Sequence, residues 1–177
     1  MAIIRQIAQL GQSVLREVAG KIDDPALPAV QALIDDMLVT MTDENGVGIA
    51  APQVFEPLSL FIVASRPNPR YPQAPEMEPM AMINPEILWV SDEKEKGWEG
   101  CLSIPGLRGL VPRHRRISVR FITCWGELRE EEYGGFLARV FQHEFDHVQG
   151  VVFIDRLEST LELITEKEYM RSLQSHA

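Results

Sequence analysis

The chain has 177 residues, which fits one domain or one domain with a tail, and its 45% hydrophobic and 24% charged residues are the balance of an ordinary globular protein. A formal net charge of −9 argues against a nucleic-acid partner, because phosphate binding needs a basic surface. The longest apolar runs are far too short to span a bilayer, and two cysteines do not make a disulfide framework.

Met1 to Gln6 has no basic segment followed by an apolar one, so no signal peptide is expected. The lack of a spanning run, a leader and a disulfide framework together point to the cytoplasm, where thiols stay reduced and can bind metal. The first predicted element is a helix from Leu27 to Met41, with apolar Val30, Leu33, Ile34, Met37, Leu38 and Met41 at spacings of three and four and Pro28 near its start. Asp43-Glu44-Asn45-Gly46 is a loop signal. Leu58 to Ala64 reads as a buried strand. Residues Arg66 to Pro79 hold five prolines and read as a loop that cannot be a central strand. Ala81 to Ile83 and Glu86 to Ser91 read as strands interrupted at Asn84-Pro85. The one basic cluster, Arg113-His114-Arg115-Arg116, reads as a solvated loop with one structural salt bridge. Ile117 to Thr123 and Leu128 to Tyr133 read as a hairpin across Trp125-Gly126-Glu127.

Phe136 to Gln149 is the second strong helix, with Gly150 placed as its left-handed cap. A third helix is predicted from about Ser159 to Leu173, within a helical tail over about 158–177. The order suggests an α+β fold over residues 1–177: antiparallel β-sheets packed around a central metal-binding helix, with an N-terminal and a C-terminal helix.

The chemistry points to the second helix. His143 and His147 are four residues apart and so share one helix face, close enough to hold a single ion. Glu144 sits beside the first of them, completing the H-E-x-x-H pattern of two imidazole ligands and a proton-handling carboxylate. A surface helix with two unrelated histidines is the plain alternative. Against it, two of the four histidines of the chain fall here, in apolar surroundings where unpartnered polar groups are unfavourable.

A catalytic metal usually has three protein ligands and an open position. The downstream position used by metzincins is Phe153, which cannot coordinate. Glu158, Glu162 and Glu166 are downstream candidates. Upstream, Cys101 in Glu99-Gly100-Cys101-Leu102-Ser103 offers a thiolate, a strong ligand for zinc or ferrous iron.

Three motifs occur in order: Gly46-Val47-Gly48-Ile49-Ala50-Ala51-Pro52-Gln53, Glu99-Gly100-Cys101-Leu102-Ser103 and Gln142-His143-Glu144-Phe145-Asp146-His147. With these, and with Asn84-Pro85 and Arg108 to Arg113 between them, the sequence strongly resembles the peptide deformylase family over roughly residues 3 to 157. The resemblance implies removal of the N-formyl group from the initiator methionine of new polypeptides, with release of formate. It implies Cys101, His143 and His147 as metal ligands and Glu144 as acid/base. Gln53 and the Leu102 N–H would hold the oxyanion. Val47, Gly48 and Gly100 would grip the peptide backbone, and Glu99 and Arg113 would form an ion pair fixing the Cys101 loop. One divalent metal is implied, ferrous iron in the cell, with nickel, cobalt or zinc as substitutes. The implied partners are N-formylmethionyl nascent peptides, met in transient contact with the ribosome, with no nucleic-acid specificity and no membrane.

The residue chemistry agrees. A metal lowers the pKa of water toward neutrality, and hydroxide can then attack the formyl carbonyl while Glu144 handles protons. Val47, Phe136 and Val140 are candidates for a methionine pocket, with ordinary core as the alternative. Asp146 is placed to orient a ligand histidine or to cap a local contact. Three departures from the family pattern are Val148 after the second histidine, the long Pro-rich loop 66–79, and Cys124-Trp125-Gly126 in the hairpin. Two other readings stay open: a zinc endopeptidase with a downstream Glu ligand, and a non-catalytic metal- or peptide-binding module. Glu144 and Gln53 speak against the second, since binding alone requires neither.

Overall fold

The computed structural model describes residues 1–175. Among these described residues, eight strands and three α-helices are present, forming two antiparallel sheets with one helix, the second, wedged between them. The elements are α1 (Pro28–Asp43), β1 (Gly48–Ala50), β2 (Leu60–Ser65), β3 (Met77–Val90), β4 (Lys94–Cys101), β5 (Ile104–His114), β6 (Arg116–Ile122), β7 (Leu128–Gly134), α2 (Gly135–Val148), β8 (Leu163–Thr165) and α3 (Glu166–Ser175). The larger sheet has the order β1-β2-β3-β6-β7 and the smaller β4-β5-β8. The expected α+β architecture is therefore present. Among the described residues, no helix is long and apolar enough to cross a membrane.

The unbroken apolar run of β2 follows from burial on both faces. Leu60 and Ile62 pack with Leu33 and Met37 of α1, while Phe61 and Val63 pack with Val140 and Phe141 of α2. The other side of α2 meets the small sheet. There Arg139 donates to the Val111 carbonyl at 2.7 Å, and Gln142 bonds both backbone groups of His114 at 3.1 and 2.9 Å. This sandwiching buries a polar face of α2 and builds the site on it.

Two turns aim the chain at that face. α1 stops at Asn45, whose φ of 52° is left-handed, and the Gly46 N–H closes on the Met41 carbonyl at 2.9 Å. The chain then enters β1 directly. α2 ends as expected on Gly150, at φ 74°.

Several expectations need correction. The interruption at Asn84 is a bulge inside one continuous β3: Asn84 takes φ 48°, the register shifts between Ile83 and Glu86, and its side-chain amide bonds Ile22 N–H and C=O at 2.9 and 2.8 Å. The proline-rich stretch ends sooner than expected, because Met77 to Pro79 already belong to β3, a central strand. Pro79 is tolerated there because it lies beside a register shift, and β3 meets β6 only from Ile83 onward. The third helix starts at Glu166; Ser159 to Thr165 instead form a short turn and β8, which covers the edge of β5. Residues 176–177 of the expected tail lie outside the described residues. The basic cluster is no solvated loop: Arg113 lies inside β5 at 5% exposure, His114 ends β5, Arg116 starts β6, and only Arg115 lies between the two strands.

Candidate active site

Cys101 closes β4, and His143 and His147 lie one turn apart on the buried face of α2. Their ligand atoms all fall within 4.8 Å of one another, with the Cys101 Sγ 3.2 Å from the His147 Nε2. The set fits a divalent cation on three grounds. A thiol and two imidazoles form a soft, nitrogen-and-sulfur donor set. Nδ1 of His143 is taken by the Glu99 Oε2 at 3.0 Å, which leaves its other nitrogen for a metal. Burial alone would lower the pKa of His143, yet Cys101 and Glu99 raise it well above the ordinary value, so the surroundings hold a proton there that a cation would displace on binding. His147 is held neutral by burial, as a ligand must be.

Beneath the three ligands lies a buried ionic network. Glu99 accepts from Arg113 at 2.9 and 3.0 Å and from Arg139 at 3.0 Å. Arg113 also donates to Asp146 at 2.6 Å, and Arg156 donates to Asp146 at 3.1 and 2.7 Å. Burial would raise the pKa of Glu99, but Arg113 and His143 hold it far below the usual carboxylate range. The expected Glu99–Arg113 pair is thus present. Asp146 is corrected: it bonds the two arginines, and Glu99 is the carboxylate that orients a histidine.

Glu144 is buried beside the ligands, and burial pushes its carboxyl up to about 7. Its Oε2 has no hydrogen-bond partner among the described residues. Buried polar atoms are nearly always paired, so this oxygen is free to serve a group entering the cleft. Gly48 faces it. A Cβ at position 48 would lie 2.8 Å from the Glu144 Cδ, so only glycine lets β1 run past the carboxylate.

Gln53 comes from a short turn, Ala51–Val54, after β1. Its Oε1 accepts the Ala50 N–H at 2.8 Å, which turns Nε2 toward Ser103 Oγ (3.2 Å) and Cys101 Sγ (3.5 Å). The amide N–H therefore points over the ligand cluster. Leu102 follows Cys101 and lines the same cleft.

That cleft brings together every residue expected to act on or hold a substrate: Val47, Gly48, Gln53, Gly100, Cys101, Leu102, Phe136, Val140, His143 and Glu144 all line it, and His147 lies behind it in contact with Cys101. Sequence reasoning missed Ser103, which is fully buried against Gln53, and the wall made by Tyr71, Arg108 and Glu166. Tyr71 lies in an aperiodic proline-rich stretch, and no sequence signal brings it to Arg108. The downstream glutamates do not reach the metal ligands. Glu158 and Glu162 pair with Lys96, and Glu166 pairs with Arg108.

A hydrolase is the class that such a cleft serves, with its soft donor set, adjacent carboxyl and amide donor aimed at one point. Comparison with known proteins narrows this class. The family model for polypeptide deformylase matches residues 4–162. Peptide deformylase 2 of Nostoc sp. is 57% identical over 92% of this chain and 91% of its own length. Peptide deformylase 2 of Shewanella oneidensis is 47% identical over 85% and 82%. A class I type b peptide deformylase from Acinetobacter baumannii, solved with Met-Ala-Ser bound, superposes with a TM-score of 0.86 at 45% identity, covering 89% of this chain and all of that one (100%). The chain belongs to the polypeptide deformylase family.

Proposed function

We propose that this chain is a peptide deformylase: it removes the N-formyl group from the initiator methionine of newly made polypeptides and releases formate. The observation that carries this reading is the meeting of Cys101, His143 and His147 within 4.8 Å, with the Glu144 carboxyl and the Gln53 amide at the same cleft. Cys101, His143 and His147 hold one divalent metal, ferrous iron in the cell, with zinc, nickel or cobalt able to replace it. When bound, the metal supplies Lewis acidity, making water acidic and polarising the formyl carbonyl.

The chain's own residues do the rest. Glu144 takes a proton at its carboxylate and returns it to the leaving amine. The Gln53 Nε2 and the Leu102 N–H donate to the oxygen that gains negative charge. The backbone at Gly46 to Ile49 pairs with the extended substrate, and Gly100 lines the same cleft. Such main-chain pairing ignores sequence, which suits an enzyme that processes many chains. Val47, Phe136 and Val140 hold the methionine side chain. Glu99 and Arg113 fix His143 and, through β4, the Cys101 loop. The small pocket beside the ligands selects formyl over larger acyl groups. Residues 1–177 act as one catalytic domain, on nascent chains met at the ribosome in the cytoplasm.

The downstream glutamates support this reading over an endopeptidase, because Arg108 and Lys96 occupy them. Formate assay on formyl-Met-Ala-Ser, beside an internal-cleavage assay on an unformylated protein, tests it. Formate release without internal cleavage is expected. Internal cleavage without formate release would reverse the assignment.

A further inference from the structure

The proline-rich segment 66–76 leaves β2 and returns at β3, and it is tied down on the way. The Asn68 Oδ1 accepts the Arg70 N–H at 3.0 Å, and the Tyr169 hydroxyl of α3 donates to the Arg70 carbonyl at 2.9 Å. Tyr71 packs on Phe136 with ring centroids 4.9 Å apart, and its hydroxyl accepts from Arg108 at 2.6 Å. Arg108 in turn grips Glu166 of α3. Loop and α3 thus form one wall of the substrate cleft, pinned through Arg108.

β1 sets the direction in which a peptide would leave that cleft. Its reacting end belongs at Gly48, which lies against Glu144. An extended chain advances about 3.3 Å per residue, so three residues carry it from Gly48 to Asn45, on the order of 10 Å away. Asn45, Gly46 and Val47 also border a second cavity, whose other walls include Arg66, Asn68, Arg70 and Met170. The third and fourth residues of the peptide arrive there.

This second cavity is short of negative charge. Glu166, its one acidic wall among the described residues, is committed to Arg108, and Arg70 keeps only a long contact with it at 3.7 Å. No ion pair to Arg66 is found among the described residues. Glu44 borders the first cavity and not the second. Two incompletely neutralised guanidiniums therefore face the peptide path in a protein of net charge −9. Their forked geometry matches a carboxylate.

We infer that Arg70, with Arg66, forms a specificity subsite for an acidic side chain at the third or fourth residue of the substrate. This inference rests on the deformylase reading. Amidated formyl-Met tetrapeptides test it, carrying Asp, Asn or Lys at position 3 or 4 so that the side chain is the sole carboxylate. The expected kcat/KM is about 3- to 10-fold higher for Asp than for Lys at low salt. That preference shrinks toward unity near 1 M salt. Arg70→Gln and Arg66→Gln each lower the Asp/Lys ratio, Arg70→Lys keeps most of it, and Arg70→Glu reverses it. A ratio near one in the unaltered enzyme overturns the inference. So does a ratio unchanged in the Arg70→Gln, Arg66→Gln double variant, even if overall activity falls, because a merely structural role lowers all peptides alike. Calorimetric binding of the corresponding unformylated Met-peptides makes the same comparison without turnover. Absence of formate from every peptide would count against the deformylase reading, while the binding ratio would still decide the subsite.

Discussion

The Glu99 Oε2 lies 3.0 Å from Nδ1 of His143, and Arg113 holds that carboxylate from behind at 2.9 and 3.0 Å. The orientation of one ligand thus depends on an ion pair that spans β4, β5 and α2. Glu99→Ala should lower metal affinity about 10- to 100-fold, as loss of a carboxylate behind a ligand histidine commonly does. It should also destabilise the fold by about 3–5 kcal/mol, because Arg113 loses a buried partner. Metal content after dialysis against a chelator, with denaturant unfolding of the same sample, checks both. Unchanged metal retention would remove Glu99 from the site's support.

Cys101 and Glu166 separate two ligand sets. Cys101→Ala should abolish tight metal binding, whereas Glu166→Ala should retain it, since Glu166 is engaged by Arg108. Metal-to-protein stoichiometry by elemental analysis decides this, and the opposite pattern would restore a downstream ligand.

Gly48 tolerates no side chain. The Cβ of a Gly48→Ala variant would press on the Glu144 Cδ at 2.8 Å and must displace β1 or the carboxyl. Misplacement of this kind costs on the order of 10² in rate. The expected result is a folded, metal-loaded protein whose kcat/KM falls by about that factor. Wild-type turnover would mean that the carboxyl at this position is not the acting group.

The Gln53 amide is aimed by Ala50 and Ser103. Gln53→Ala should lower kcat about 10²–10³-fold while metal content stays constant, the usual loss for one oxyanion donor. A change confined to KM would instead assign Gln53 to ground-state binding.

The N-terminal segment is tied to α1 through Asp36, which accepts the Ile3 N–H at 2.8 Å and the Arg5 Nε at 2.9 Å. The Ile3 N–H, followed by Arg5, holds the Asp36 carboxyl below its usual range. A carboxyl with a lowered folded-state pKa stabilises the fold above its unfolded value of about 4 and loses that contribution as pH falls through the folded value. Asp36→Ala should therefore lose about 1–3 kcal/mol at pH 7, with the gap closing in acid. Urea unfolding of both proteins at pH 7 and below pH 4 tests this. A gap that is constant with pH would show that the charge is not involved.

Much of this was legible in the residues. The period of α2 and its two histidines place a metal-ligating face on a helix, and the apolar run of β2 announces a doubly buried strand. β4 and β5 were not visible, because Gly97, Gly100, Pro105 and Pro112 interrupt any alternation; tertiary pairing, not propensity, makes them strands. The Arg113 cluster looked solvated because four neighbouring cationic or imidazole groups read as a surface run; the resemblance implied the Glu99 pair, but no local pattern showed the Asp146 carboxylate or the burial of Arg113. The wall of Tyr71, Arg108 and Glu166 joins segments 37 and 58 residues apart from Arg108, beyond the reach of any local pattern.

The most direct test is formate release from formyl-Met-Ala-Ser by protein purified without oxygen, with bound metal measured, beside the Glu144→Gln variant. The account predicts turnover by the metal-loaded protein and a loss of at least about 10²-fold in the variant at equal metal content. Equal turnover by Glu144→Gln, or no formate from fully metal-loaded wild-type protein, would contradict it.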